Sequence, residues 1–147
     1  MSDLISLLDG ATIKVSSTLD KSVGKKYLTD KNVETCWTSQ QGLPQYIQAN
    51  FKDTKINPVR LSFTFQGGFV GTRCVVQAQS GPSGWETFTE VFPEDVNRQQ
   101  VFDLPTIEGS RWADGMNAIK LTFEQSSDFF GRITVYDLTL EGHFIAA

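Results

Sequence analysis

Two five-residue runs constrain this chain more than anything else in it. In Leu61-Ser62-Phe63-Thr64-Phe65 and in Ile119-Lys120-Leu121-Thr122-Phe123 every second side chain is apolar. Successive side chains of a strand point to opposite faces, so each run reads as a half-buried β-strand and not as a helix. Tyr136, Leu138 and Leu140 alternate in the same way with Val135, Asp137, Thr139 and Glu141. Between Pro and Gly clusters the chain offers eight candidate strands: 12–16, 46–51, 59–65, 74–78, 88–92, 99–103, 118–123 and 133–141. Short strands joined by turns predict an all-β fold, an eight-stranded antiparallel jelly-roll sandwich. Trp37, Phe63, Phe65, Leu121, Phe123 and Leu138 are expected between its sheets. No long segment carries a 3.6-residue period, and a short helical stretch fits only between Leu19 and Tyr27. With no repeat, linker or low-complexity tract in sight, one domain is expected over 1–147, with Phe144–Ala147 a tail.

At 147 residues a single domain can bury roughly 70% of the surface its unfolded chain exposes. The 39% hydrophobic and 12% aromatic content supplies a core. The net charge is −4, and residues 101–147 hold seven acidic against three basic side chains. Duplex nucleic acid needs a basic face, so no direct nucleic-acid binding is expected. Lys21, Lys25, Lys26 and Lys31 read as a solvated face. MSDLISLLDG lacks the leading basic residues of a signal peptide and the length of a membrane span, so no membrane contact is expected. No Asn-x-Ser/Thr sequon occurs, and the two cysteines, Cys36 and Cys74, allow one bridge at most. A reducing, intracellular setting follows, in the nucleus and/or the cytoplasm, with both thiols unpaired.

The stretch Leu28–Ser39, LTDKNVETCWTS, packs oxygen-bearing side chains ahead of a large apolar anchor. Clustered oxygens suit a hard cation such as Ca²⁺. They equally suit Asx-type hydrogen bonds in which Asp30 and Asn32 cap their own backbone. Asp30, Asn32, Thr35, Trp37 and Ser39 fall on the Asp-Gly-Asn-x-x-Thr-x-Trp-x-Ser signature of the discoidin domain, the coagulation-factor C-type, galactose-binding-like module. Lys31 stands where that family has Gly, and Val33 where Pro is common. Ser16-Ser17, the strand Tyr46–Phe51 and the ending Asp137–Gly142 continue the resemblance. It implies a Ca²⁺ cradle at Asp30, Asn32 and Thr35, completed by Asp137 where the family places Glu. Asp137 is a methylene shorter than Glu, and the charge of Lys31 opposes a cation. No other cofactor is implied. Secreted discoidin domains clasp their ends with a disulfide that this chain lacks.

The chain also resembles a narrower group, the single-domain nuclear receptor-associated proteins that partner the testicular orphan receptor. Gly24-Lys25-Lys26, Glu34–Trp37, Phe65–Phe69, Phe92–Asp95 and Asp128–Arg132 carry that likeness, while the Glu108–Asn117 link looks longer than in that group. It implies a protein partner, a nuclear receptor, and repression of receptor-driven transcription.

Catalysis is not expected. His143 is the only histidine, so any Cys-His or Ser-His pair must use that one residue. Cys74 follows Arg73, which favours a thiolate if the two side chains converge; otherwise it is a small buried hydrophobe. The candidate partner-binding residues are Phe69, Arg73, Phe129, Phe130 and Arg132, because aromatics and Arg dominate interface energetics. Phe69 lies among glycines and either projects or folds inward. Phe129 and Phe130 cannot both enter one core if the chain is extended there. Phe69 or Trp112, projecting from a loop, also suits a carbohydrate- or lipid-binding module. That is the competing reading, and the missing leader, sequons and clasp disfavour it.

Overall fold

The computed structural model describes residues 4–82 and 84–145, and in it the alternating runs are strands. Strands β1 (Ile5–Ser6), β2 (Thr12–Val15), β3 (Trp37–Thr38), β4 (Gln45–Asn50) and β5 (Lys55–Phe65) lead the chain. Strands β6 (Arg73–Gln79), β7 (Glu86–Val91), β8 (Gln99–Asp103), β9 (Ala118–Gln125) and β10 (Thr134–Ile145) complete it. Each predicted strand has its counterpart. The extra pair, β1 and β3, are two residues each and too short to carry a periodic signal. Among the described residues the helical turns are 3₁₀ turns at Lys21–Val23 and Lys25–Leu28, where the short helical stretch was expected. No helix among them is long and apolar enough to cross a membrane.

Two antiparallel sheets form. One runs β1-β10-β5-β8, with β3 also paired to β10; the other runs β2-β4-β9-β6-β7. Register places Phe63 opposite Leu138 in the first, and Ile47 and Val76 on either side of Leu121 in the second. Period-two patterning therefore turns apolar rows from both sheets toward each other. All six residues expected in the core are buried, Trp37, Phe63 and Phe123 completely. Across the sheets the Phe65 and Phe123 rings meet edge to face at 5.8 Å, and Phe63 lies 6.1 Å from Phe123. Such ring pairs contribute about 0.5–1.5 kcal/mol each beyond area burial.

One expectation needs correction. Phe144 and Ile145 are not tail: β10 continues through them, opposite Ile56 and Lys55. The strand survives that far because a bulge at Glu141/Gly142 keeps it in step with β5. Gly142 serves the bulge, since a Cβ there would overlap the Asn57 carbonyl oxygen. Ala146 and Ala147 lie outside the described residues. Trp112 does not project from its loop. It is buried, edge-on to Phe88 at 6.1 Å, with the Arg111 guanidinium over its ring at 4.0 Å.

Candidate functional site

The loop ahead of β3 closes on itself. The Asn32 N–H donates to Asp30 Oδ1 (3.0 Å), and the Glu34 N–H to Asn32 Oδ1 (2.9 Å). The Thr35 hydroxyl donates to Asp30 Oδ2 (2.7 Å). Lys31 takes a left-handed φ of 61°, the conformation Gly adopts without cost, and its ammonium reaches Asp9 at 3.6 Å. The product is positional: Trp37 is driven into the core, and its indole N–H donates to the Ser17 carbonyl at 3.0 Å.

As a calcium cradle this donor set is poor. Ca²⁺ takes six to eight oxygens, typically with several carboxylates. Here the Asp30 and Asn32 side-chain oxygens already accept hydrogen bonds from within the loop, the Thr35 hydroxyl donates to Asp30, and Asp30 is the one carboxylate among the three. Asp137 sits on β10 opposite Thr64, just past a bulge. Among the described residues no three His, Cys, Asp or Glu side chains are grouped to hold a metal. The arrangement fits the hydrogen-bonded loop.

At one end of the sandwich four connections converge. The Gly42 N–H donates to the Phe130 carbonyl (2.8 Å), and the Thr134 N–H to the Phe69 carbonyl (3.0 Å). The Val70 N–H donates to Ser127 Oγ (2.9 Å), while the Ser127 N–H donates back to the Val70 carbonyl (2.9 Å). Gly67 and Gly68 donate to Asn97 and Asp95 of the next loop. Gly131, at φ +84°, lets the turn lie against the Gly42 backbone, 3.1 Å from where a Cβ would stand. Loops 39–44, 66–72, 92–98 and 126–133 are thus one unit.

On that unit Arg132 is the centre. Its guanidinium lies 5.2 Å from the Phe69 ring centroid and 5.8 Å from that of Phe130, within cation–π range. Asp128 Oδ2 accepts both the Arg132 backbone N–H (3.0 Å) and its Nε–H (3.1 Å). These bonds hold the Asp128 carboxyl below the ordinary carboxylate range, the Arg132 side-chain bond foremost. Phe129 stands 94% exposed, edge-on to the 53% exposed Phe130 at 5.2 Å. Neither ring enters the core. Phe69 is half-buried, between the two positions open to it.

Arg73 stands apart from this group. Its guanidinium is engaged by Glu90 at 2.8 Å across β6–β7. It does not activate Cys74 either, because Cys74 faces the core and burial pushes its thiol well up. Cys36 and Cys74 are both free thiols. Sequence reasoning also missed Phe92, 62% exposed at the end of β7. The signal was present: Val91 is buried, alternation turns its neighbour outward, and Pro93 stops the strand.

This fold, with loops gathered at one end, defines a discoidin-like, galactose-binding-like jelly-roll module. Solved binding modules share the architecture. A chitosan-binding module of a Paenibacillus chitosanase/glucanase superposes with TM-score 0.74 at 15% identity, over 94% of this chain and 99% of that one. A family 32 carbohydrate-binding module from C. perfringens NanJ gives 0.69 at 18% identity, over 89% and 93%. At such identities the likeness is one of fold alone. No protein-family model matches the chain. Curated relatives do: the nuclear receptor 2C2-associated proteins of Danio rerio, 40% identical over 133 residues, and of Mus musculus, 36% over 132, each alignment spanning 88% of this chain and 89% of the relative. The chain belongs to the nuclear receptor 2C2-associated protein family.

Proposed function

We propose that the chain is a non-enzymatic, intracellular protein-binding module that associates with a nuclear receptor and represses receptor-driven transcription. The partner class is supported by the relatives' name, and the compartment by that name together with the two free thiols. The observation that carries the contact surface is Phe129: a large ring almost fully exposed, backed by Phe130 and Arg132. A solvated aromatic on a braced loop is costly to display and serves best as an interface anchor. Phe69 buttresses Arg132, whereas Arg73, held by Glu90 across β6–β7, stands outside this contact. No metal has a part in this reading.

Capture of the receptor named in the relatives, nuclear receptor 2C2, by the Phe129→Ser/Arg132→Gln variant tests it. Binding falls about tenfold or more, or about 1.4 kcal/mol, while the melting temperature stays within a few degrees of the parent. Unchanged capture with an intact fold moves the contact elsewhere. Retention on a glycan or vesicle surface, lost in the same variant, favours the carbohydrate- or lipid-binding reading.

A further inference from the structure

The outer face of the sheet β2-β4-β9-β6-β7 carries an arrangement that the loop end does not explain. Register sets Lys14 beside Gln48, Gln48 beside Lys120 and Lys120 beside Gln77, one row across four strands. The adjoining row, Ile13, Ala49, Ile119 and Ala78, packs into the core, so the lysine row faces solvent. Lys120 Nζ sits 5.0 Å from the Tyr46 ring centroid and 4.5 Å from that of Trp85. Strands lie about 4.8 Å apart, so Lys14 and Lys120 spring from points roughly 10 Å apart. Among the described residues neither ammonium has a carboxylate partner. The rim carboxylates Glu86 and Glu90 are taken by Arg111 (2.7 Å) and Arg73 (2.8 Å). Lys120 is pulled below its ordinary pKa by burial and then by the charge of Lys14, a repulsion that a bound anion would relieve. On a chain of net charge −4, this face holds two cations with no carboxylate partner among the described residues, Lys120 on the central strand β9 and Lys14 on the edge strand β2.

We propose that this face is a second docking surface, whose occupant is an extended acidic protein segment with carboxylates three residues apart. In a polyproline II segment residues i and i+3 lie on one side, about 9 Å apart, the spacing of the two lysines. Its backbone makes no internal hydrogen bonds and docks on aromatic walls, a role open to Tyr46 and Trp85. Thr122 Oγ1 donates to Gln77 Oε1 (3.1 Å), which leaves the Gln77 amide NH₂ to serve a backbone carbonyl. Two cations bordered by acids do not make a track for nucleic acid, and an uncharged sugar would leave both ammoniums unanswered.

The test uses the full chain and two synthetic peptides, Glu-Pro-Pro-Glu-Pro-Pro-Glu and its Gln counterpart, by calorimetry and backbone amide NMR. The acidic peptide binds, weakens as salt rises, and shifts amides of Lys14, Gln48, Lys120 and Gln77. The Gln peptide binds about tenfold more weakly or less. Lys14→Gln, on an exposed side chain, weakens binding, and Lys14→Gln/Lys120→Gln abolishes it with the melting temperature held. Phe129→Ser leaves it unchanged, so this result and receptor capture at the loop end fail separately. Equal binding of the two peptides, no binding, shifts confined to the loop end, or tighter binding of a single-stranded oligonucleotide overturns the proposal.

Discussion

Ser39 and Ile133 bond each other twice. The Ser39 N–H donates to the Ile133 carbonyl at 2.9 Å, and the Ile133 N–H donates to Ser39 Oγ at 3.0 Å. Both residues are fully buried. The pair joins the chain just after Trp37 to the residue that follows Arg132, so it couples the core anchor to the loop end.

Ser39→Ala keeps the first of these bonds and deletes the second, leaving a buried N–H without its partner. The cost is about 1–3 kcal/mol, which for a chain of this size lowers the melting temperature by roughly 3–10 °C. A thermal melt reads it directly, and an unshifted transition refutes it.

Trp37→Ala should cost about 3–5 kcal/mol by opening a cavity between the sheets. Trp37→Phe restores most of the ring but leaves the Ser17 carbonyl without its indole donor. Denaturant titrations should therefore rank parent, Phe and Ala in that order. A Phe variant as unstable as Ala would point to the hydrogen bond, not the packing, as the source.

Asp30→Ala removes the acceptor of two loop hydrogen bonds and should cost about 1–2 kcal/mol, whether or not calcium is present. Melting curves of the parent with excess Ca²⁺ and with chelator should superimpose. If Ca²⁺ binds, linkage raises the transition, by about 2.7 kcal/mol at 100 times the dissociation constant. A rise abolished by Asp30→Ala would restore the calcium reading.

Asp128 gives the loop end a pH dependence of defined sign. Its folded pKa lies below the unfolded value of 3.8, so its stabilisation is present above about pH 4 and is lost as pH falls through the depressed value. Asp128→Asn should be less stable than the parent at neutral pH, by a small amount because the pair is partly solvated, and the gap should close in acid. Asp20, held low by the Ser22 hydroxyl and N–H, supplies a separate acid limb that Asp128→Asn leaves intact. A gap independent of pH would locate the effect in packing.

The strands and the core rows were legible because a period of two is a local property that needs no knowledge of partners. Leu61–Phe65 and Ile119–Phe123 state their own buried face whatever they pair with. The short strands were not legible, since β1 and β3 exist only through pairing with β10, far along the chain. Phe144 was misjudged for the same reason: a terminal run looks frayed until the bulge at Gly142 keeps it on β5. Whether Trp112 projects or packs was not legible, because a loop aromatic gives no sign of the buried site waiting for it against Phe88.

The sequence by itself determined the class of fold, the buried face of each long strand and the family, because these reside in patterning and in short ordered blocks. The tertiary structure decided what surrounds each candidate side chain. Only there do Phe69, Phe130 and Arg132 meet while Arg73 turns to Glu90. Only there do Lys14 and Lys120, more than a hundred residues apart in the chain, stand in one row. The physical reason is common to both. A strand's inward face follows from its own residues, whereas the company its outward side chains keep depends on which distant strand lies alongside, and that is settled by register across the whole sheet.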